Sequence, residues 1–189
     1  MPRWVNLPNG FTALRLALVP FVILAILHGA HFLALALFAV AAVTDILDGA
    51  AARRLGVGTP IGAVLDPIAD KCLLSGVFLA LAAAGSAPWW LVAVVFGRDL
   101  YILLGAAAAF RFTSLRKFPP SVWGKLSTLV QILTAVSYMA WNLFGDGPTA
   151  RVASAMPWPC AAFTAWSGVH YTWRILKRSP PIDATTARE

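Results

Sequence analysis

Four aspartates in the segment TDILDGAAARRLGVGTPIGAVLDPIADK, Thr44–Lys71, are the residues best suited to chemistry. Asp45 and Asp48 stand three apart, Asp66 and Asp70 four apart, so on a helix each pair shares one face about a turn apart. Between the pairs lie Gly49, Ala52 and Arg53, a turn signal of Gly56, Gly58, Thr59 and Pro60, and then Gly62. Two helices joined by that turn would gather four carboxylates into one all-oxygen site. The flanks are apolar: LALALFAVAAV leads towards Asp45 and LLSGVFLALAAA follows Asp70. An ionised acid at the centre of a membrane helix costs about 2.5–3.5 kcal/mol, so four unpaired ones would cost on the order of 10 kcal/mol. Arg53 and Lys71 are too few, and too near the helix ends, to neutralise them. Hard divalent cations that favour oxygen ligands, Mg²⁺ or Mn²⁺, answer the need. The competing reading is four acids that snorkel to an interface or form ion pairs.

The elements that must hold these groups follow from composition. Of the 189 residues 59% are apolar and 12% charged, against roughly 25% charged in a soluble domain. The expectation is an all-α integral membrane protein: a bundle of about six transmembrane helices with a polar cavity on its cytoplasmic side. Apolar stretches near the 20 residues that cross a bilayer fall at Phe11–His28, Phe32–Arg53, Ile61–Ala84, Trp89–Phe110, Val122–Phe144 and Val152–Leu176. They make one domain over 1–178, and the polar, proline-bearing tail 179–189 reads as disordered.

Alternating helices put Arg3, Arg53/Arg54, Arg111/Arg116/Lys117 and Arg174/Lys177/Arg178 on one side, and only Arg151 on the other. By the positive-inside rule that side is cytoplasmic, with both termini and the carboxylate turn. In a bacterium the host membrane would be the inner membrane. The start, MPRWVNLPNGFT, turns apolar too quickly for a separate signal peptide, so the first run reads as a retained helix. The net charge of +7 suits anionic lipid headgroups, not nucleic acid. Cys72 and Cys160 have no metal spacing and read as small core residues. Self-association as a homodimer is left open.

The run Asp45-x2-Asp48-Gly49-x2-Ala52-Arg53-x8-Gly62-x3-Asp66-x3-Asp70 resembles the signature of the CDP-alcohol phosphotransferases at every fixed position. Weaker similarity extends from Leu7 to about Gln131, through Asn9, Thr12 and Arg15 at one end and Gly124, Lys125 and Thr128 at the other. The resemblance implies two metal ions on Asp45, Asp48, Asp66 and Asp70, with Asp70 also the base for the acceptor hydroxyl. It implies CDP-diacylglycerol as donor, its CDP part lying on Gly49, Ala52, Arg53 and Gly62. Small residues there leave room for a nucleotide against the helix backbone, and Arg53 can contact phosphate or base.

Of the remaining polar residues, Arg15 either meets a phosphate or snorkels to the surface. Arg98 and Asp99 fall mid-helix and form either a local ion pair or part of the cavity wall. Lys125, with Arg116 and Arg98, suits an anionic acceptor's phosphate. The flanks resemble phosphatidylglycerophosphate synthases, whose acceptor is glycerol 3-phosphate. Gly97-Arg98-Asp99-Leu100 also resembles cardiolipin synthases, which use phosphatidylglycerol. A divalent-cation transporter and a scaffold are the non-enzyme alternatives. Against a transporter, the acids cluster at one end instead of forming a path across the bundle. His28, His31 and His170 are isolated and receive no role.

Overall fold

The computed structural model describes the backbone of residues 7–55, 62–112 and 122–178, and side chains at 10, 12–45, 69–105 and 122–174. The described residues form seven helices in order: α1 Leu7–Leu27, α2 His31–Leu55, α3 Gly62–Ala83, α4 Trp89–Phe112, α5 Val122–Phe144, α6 Pro148–Ala155 and α7 Pro157–Arg178. There is no strand among the described residues. The first five match the expected apolar stretches to within a few residues. The sixth expected helix, Val152–Leu176, is instead broken. α6 ends at Ala155, and Pro157 opens α7. Pro157 has no N–H to offer to a carbonyl one turn back, and its fixed φ suits a first helical position, so the chain stops and restarts there. Met156 still donates to the Val152 carbonyl at 3.0 Å, and Cys160 donates to the Met156 carbonyl at 3.1 Å. The two helices therefore meet almost without a loop.

Tight glycine turns close two helices at the end away from the aspartates. Gly29 and Gly85 adopt φ of 70° and 76°, a left-handed conformation that costs a side-chain-bearing residue energy. In both turns the next amide reaches back five residues: Ala30 to the Ala25 carbonyl at 2.9 Å and Ser86 to that of Leu81 at 2.8 Å. That is the Schellman closure, which satisfies carbonyls the helix end would orphan.

α1 packs along both α2 and α3; α7 packs on α4 and α5; and α2 and α3 join the two groups through α5 and α4. Val22, Phe38, Val77, Phe78, Leu81, Leu91 and Met139 fill the shared core. Close approach of α1 and α3 depends on Gly76, where an added Cβ would meet Ile23 Cδ1 at 2.8 Å. Gly76→Leu is expected to lower stability by about 2 kcal/mol through overpacking, while Gly76→Ala, facing only the tip of a flexible side chain, should cost much less. Thermal unfolding of the two variants in detergent checks this.

Large apolar side chains also point outward along the long helices, among them Leu14, Phe21, Leu24, Phe32, Val43, Leu79, Leu100, Leu103, Leu133 and Val169. Among the described residues, however, no helix is long and apolar enough to cross a membrane. The described residues thus form an all-helical bundle that carries many large apolar side chains on its outside.

Candidate active site

The aspartates fall on two consecutive helices, as their spacing requires. Asp45 and Asp48 lie on α2, and Asp66 and Asp70 on α3, which runs back beside the same neighbour, α1. Side chains are described for the outer two, Asp45 and Asp70. Those of Asp48, Gly49, Ala52, Arg53, Gly62 and Asp66 lie outside the described residues, as do residues 56–61, where a turn is expected, and Arg116.

Asp45 and Asp70 meet on one cation, Arg15 of α1. Its Nη1 donates to Asp70 Oδ1 at 2.5 Å, and its Nη2 stands 2.6 Å from Asp45 Oδ1. The second contact is an ion pair without hydrogen-bond alignment, since Nη2 and Nε have no hydrogen-bond partner among the described residues. The guanidinium side chain is 1% exposed, whereas each carboxylate side chain is 48% exposed. The acids thus present an open side to a ligand while the arginine is buried behind them. Burial excludes the snorkelling reading of Arg15. A single guanidinium bridging two carboxylates from separate helices was not foreseen, because the cation lies 30 and 55 residues from its partners along the chain. The available signal was an arginine in an apolar helix with no acid one turn away: its partners had to come from other helices.

A second polar chain runs beside the first. Lys71 Nζ meets Asp99 Oδ2 at 2.7 Å, Arg98 Nη1 donates to Asp99 Oδ1 at 2.7 Å, and Arg98 Nη2 donates to Ser167 Oγ at 2.6 Å. Arg98 and Asp99 are therefore the local pair that their adjacency suggested, extended to α3 and α7. Lys71, next to Asp70 in sequence, is held by α4 instead of sitting among the carboxylates. Ser167 carried no signal in the sequence. Lys125 on α5 is exposed and in no ion pair among the described residues. Further along α5, Gln131 donates to Thr164 Oγ1 at 3.1 Å, and Ser127 shares that hydroxyl at 3.3 Å. These buried contacts lock α5 to α7 below Lys125.

Among the described residues no group of three or more His, Cys, Asp or Glu could hold a metal. Two of the four expected ligands do converge, they are hard oxygen donors, and a positive group already stands between them. That donor chemistry fits a hard divalent cation. A cavity of about 540 Å³ at the opposite end of the bundle is lined by Trp90, Tyr138, Trp141, Arg151 and Trp158, with no carboxylate. It is not the site.

Residues 5–166 match the family model for CDP-alcohol phosphatidyltransferase. The chain belongs to the CDP-alcohol phosphatidyltransferase family. It is thus an enzyme, and the transporter and scaffold alternatives give way. A probable phosphatidylglycerophosphate synthase of Mycobacterium tuberculosis (strain ATCC 25618 / H37Rv) is 36% identical over 182 residues, covering 93% of this chain and 84% of that one. A CDP-diacylglycerol–glycerol-3-phosphate 3-phosphatidyltransferase of Bacillus subtilis is 31% identical over 192 residues, covering 92% and 98%. A probable cardiolipin synthase (CMP-forming) of Drosophila melanogaster is 30% identical over 197 residues, covering 92% of this chain and 61% of that one. The matched region of the family runs from α1 into the first half of α7, so it includes Arg15, all four aspartates and the Lys71–Asp99–Arg98–Ser167 chain save its last member.

Proposed function

We propose that this phosphatidyltransferase moves the phosphatidyl group of CDP-diacylglycerol to glycerol 3-phosphate and releases CMP. The convergence of Asp45 and Asp70, half-exposed, from two helices carries the reading, and the names of the Mycobacterium and Bacillus relatives support this acceptor. The outward apolar side chains favour a bundle embedded in a membrane by multiple passes, with the lipid's acyl chains alongside and the carboxylate end at the cytoplasmic face.

In this reading Asp45, Asp48, Asp66 and Asp70 would hold two Mg²⁺ or Mn²⁺ ions. When bound, such ions neutralise pyrophosphate oxygens and the charge of a leaving phosphate. Gly49, Ala52 and Gly62 leave space for the nucleotide, and Arg53 contacts its phosphate or base. Asp70 accepts the proton of the acceptor hydroxyl as that oxygen attacks the phosphorus carrying diacylglycerol. The new P–O bond forms as the P–O bond to CMP breaks, and CMP departs with the electron pair. A carboxylate is a weak base for an alcohol in water, so the transfer depends on the acceptor hydroxyl being positioned within hydrogen-bond reach of Asp70.

Acceptor recognition falls chiefly to Lys125, and the sequence offers Arg116 as a second base. Arg98 is already engaged by Asp99 and Ser167, and Arg15 by two carboxylates, so among the described residues near this end Lys125 is the ammonium in no ion pair. A small dianion drawn from water gains from a positive cytoplasmic rim. Lys125→Ala is expected to raise the KM for glycerol 3-phosphate about tenfold, the loss of one charge-assisted hydrogen bond, and to change that for CDP-diacylglycerol much less.

Purified protein in detergent, given labelled CDP-diacylglycerol and either glycerol 3-phosphate or phosphatidylglycerol, tests the acceptor. Label in phosphatidylglycerophosphate is the expected result. Label in cardiolipin alone would instead establish the second reading, which the Drosophila relative and the Gly97-Arg98-Asp99-Leu100 run favour.

A further inference from the structure

Arg15 is the bulkiest side chain among the fully buried ones, and it is poorly satisfied for an arginine. A guanidinium has five N–H donors, yet among the described residues Nε and Nη2 have no hydrogen-bond partner. Its two ion-pair partners among those residues are both carboxylates, Asp70 and Asp45, each through Oδ1. An arginine placed for its own stability would be expected to find more acceptors, so the need this arrangement meets belongs to the acids. Three helices converge at this point, and without a cation two carboxylates would repel across the α2–α3 contact.

The same two oxygens are donors that a divalent ion would use. We infer that Arg15 is a tethered counter-ion of the metal-free site, which holds Asp45 and Asp70 together and competes with the divalent metal for them. The inference rests on the reading of these aspartates as metal ligands. One positive charge cannot balance four carboxylates, so the site with Arg15 in place still attracts a dication. It attracts one less strongly than the bare acids would, because the cations repel each other and seek the same oxygens. By linkage, a contact that stabilises the metal-free protein more than the loaded one weakens metal binding by the same factor. Arg15 thus keeps the fold intact when metal is scarce and sets the affinity lower than four aspartates would give alone.

The test is thermal unfolding of the full chain in detergent, titrated with Mg²⁺ and separately with Mn²⁺ after chelator treatment. Wild type, Arg15→Gln, Arg15→Lys and Asp66→Asn are compared, and no turnover is needed. In chelator, Arg15→Gln should melt well below wild type. At saturating metal the gap should narrow, with an apparent metal affinity about tenfold tighter than wild type, within the usual range of coupling between sites. Arg15→Lys keeps the charge but has no fork to reach both acids, so it should fall between. It carries the test alone if Arg15→Gln does not accumulate. An equal loss of stability with and without metal, and unchanged affinity in both variants, would overturn the inference and leave the metal reading standing. Absence of any metal-dependent stabilisation in wild type, matching Asp66→Asn, would overturn the metal reading and the inference with it.

Discussion

Asp66→Asn is expected to reduce turnover by on the order of 10³-fold or more, the scale of loss when one element of a preorganised electrostatic site is removed. Asparagine keeps the shape of the side chain but brings no negative charge, and half of its polar end is a donor turned towards a cation. The same loss should follow removal of divalent metal from the wild type, with recovery on adding Mg²⁺ or Mn²⁺. The variant should still accumulate in the membrane and extract in detergent as the wild type does, because asparagine matches aspartate in size and shape. Turnover measured by CMP release, alongside the chromatographic profile of the extracted protein, checks both halves. Full activity in excess chelator would remove the metal from the mechanism.

Asp70→Asn is expected to cost at least 10²–10⁴-fold in kcat, the usual worth of a positioned general base. Here there is a second consequence, because Asp70 is also one of the two anchors of Arg15. Loss of that anchor should lower the melting temperature as well, so kinetics and thermal unfolding are measured on the same preparation. The kinetic effect should remain at temperatures well below the lowered transition. A base acting directly on the acceptor also predicts that no phosphatidyl-enzyme forms: no Ser, Cys or His stands beside the aspartates in the segment 45–70. Labelled CMP should therefore fail to exchange into CDP-diacylglycerol when acceptor is absent. Rapid exchange without acceptor would point to a covalent intermediate and take the direct role away from Asp70.

The family was legible in one stretch because its information is local. Intervals of three and four residues fix a shared helical face whatever the rest of the chain does. The glycine, threonine and proline between the pairs announce a turn, and long apolar runs announce the helices. The observed α1–α5 follow from that. The break at Pro157 was not legible. Apolar character continues through Trp158 and Cys160, so the pattern read as one helix where the structure has α6 and α7.

What the sequence could not reveal is which charges meet. Lys71 is next to Asp70, and proximity along the chain suggests a shared neighbourhood. One residue turns a helix by about 100°, and that rotation sends Lys71 to Asp99 on α4 while Asp70 faces α1. Arg98 finds Asp99 beside it, but its second partner, Ser167, lies 69 residues away. Arg15 is the sharpest case. The sequence by itself determined that a cluster of aspartates in apolar surroundings must have a cation. Only the packing of α1 against α2 and α3 decided that the chain supplies one of its own, because which helix faces align is a property of the assembled bundle and not of any single segment.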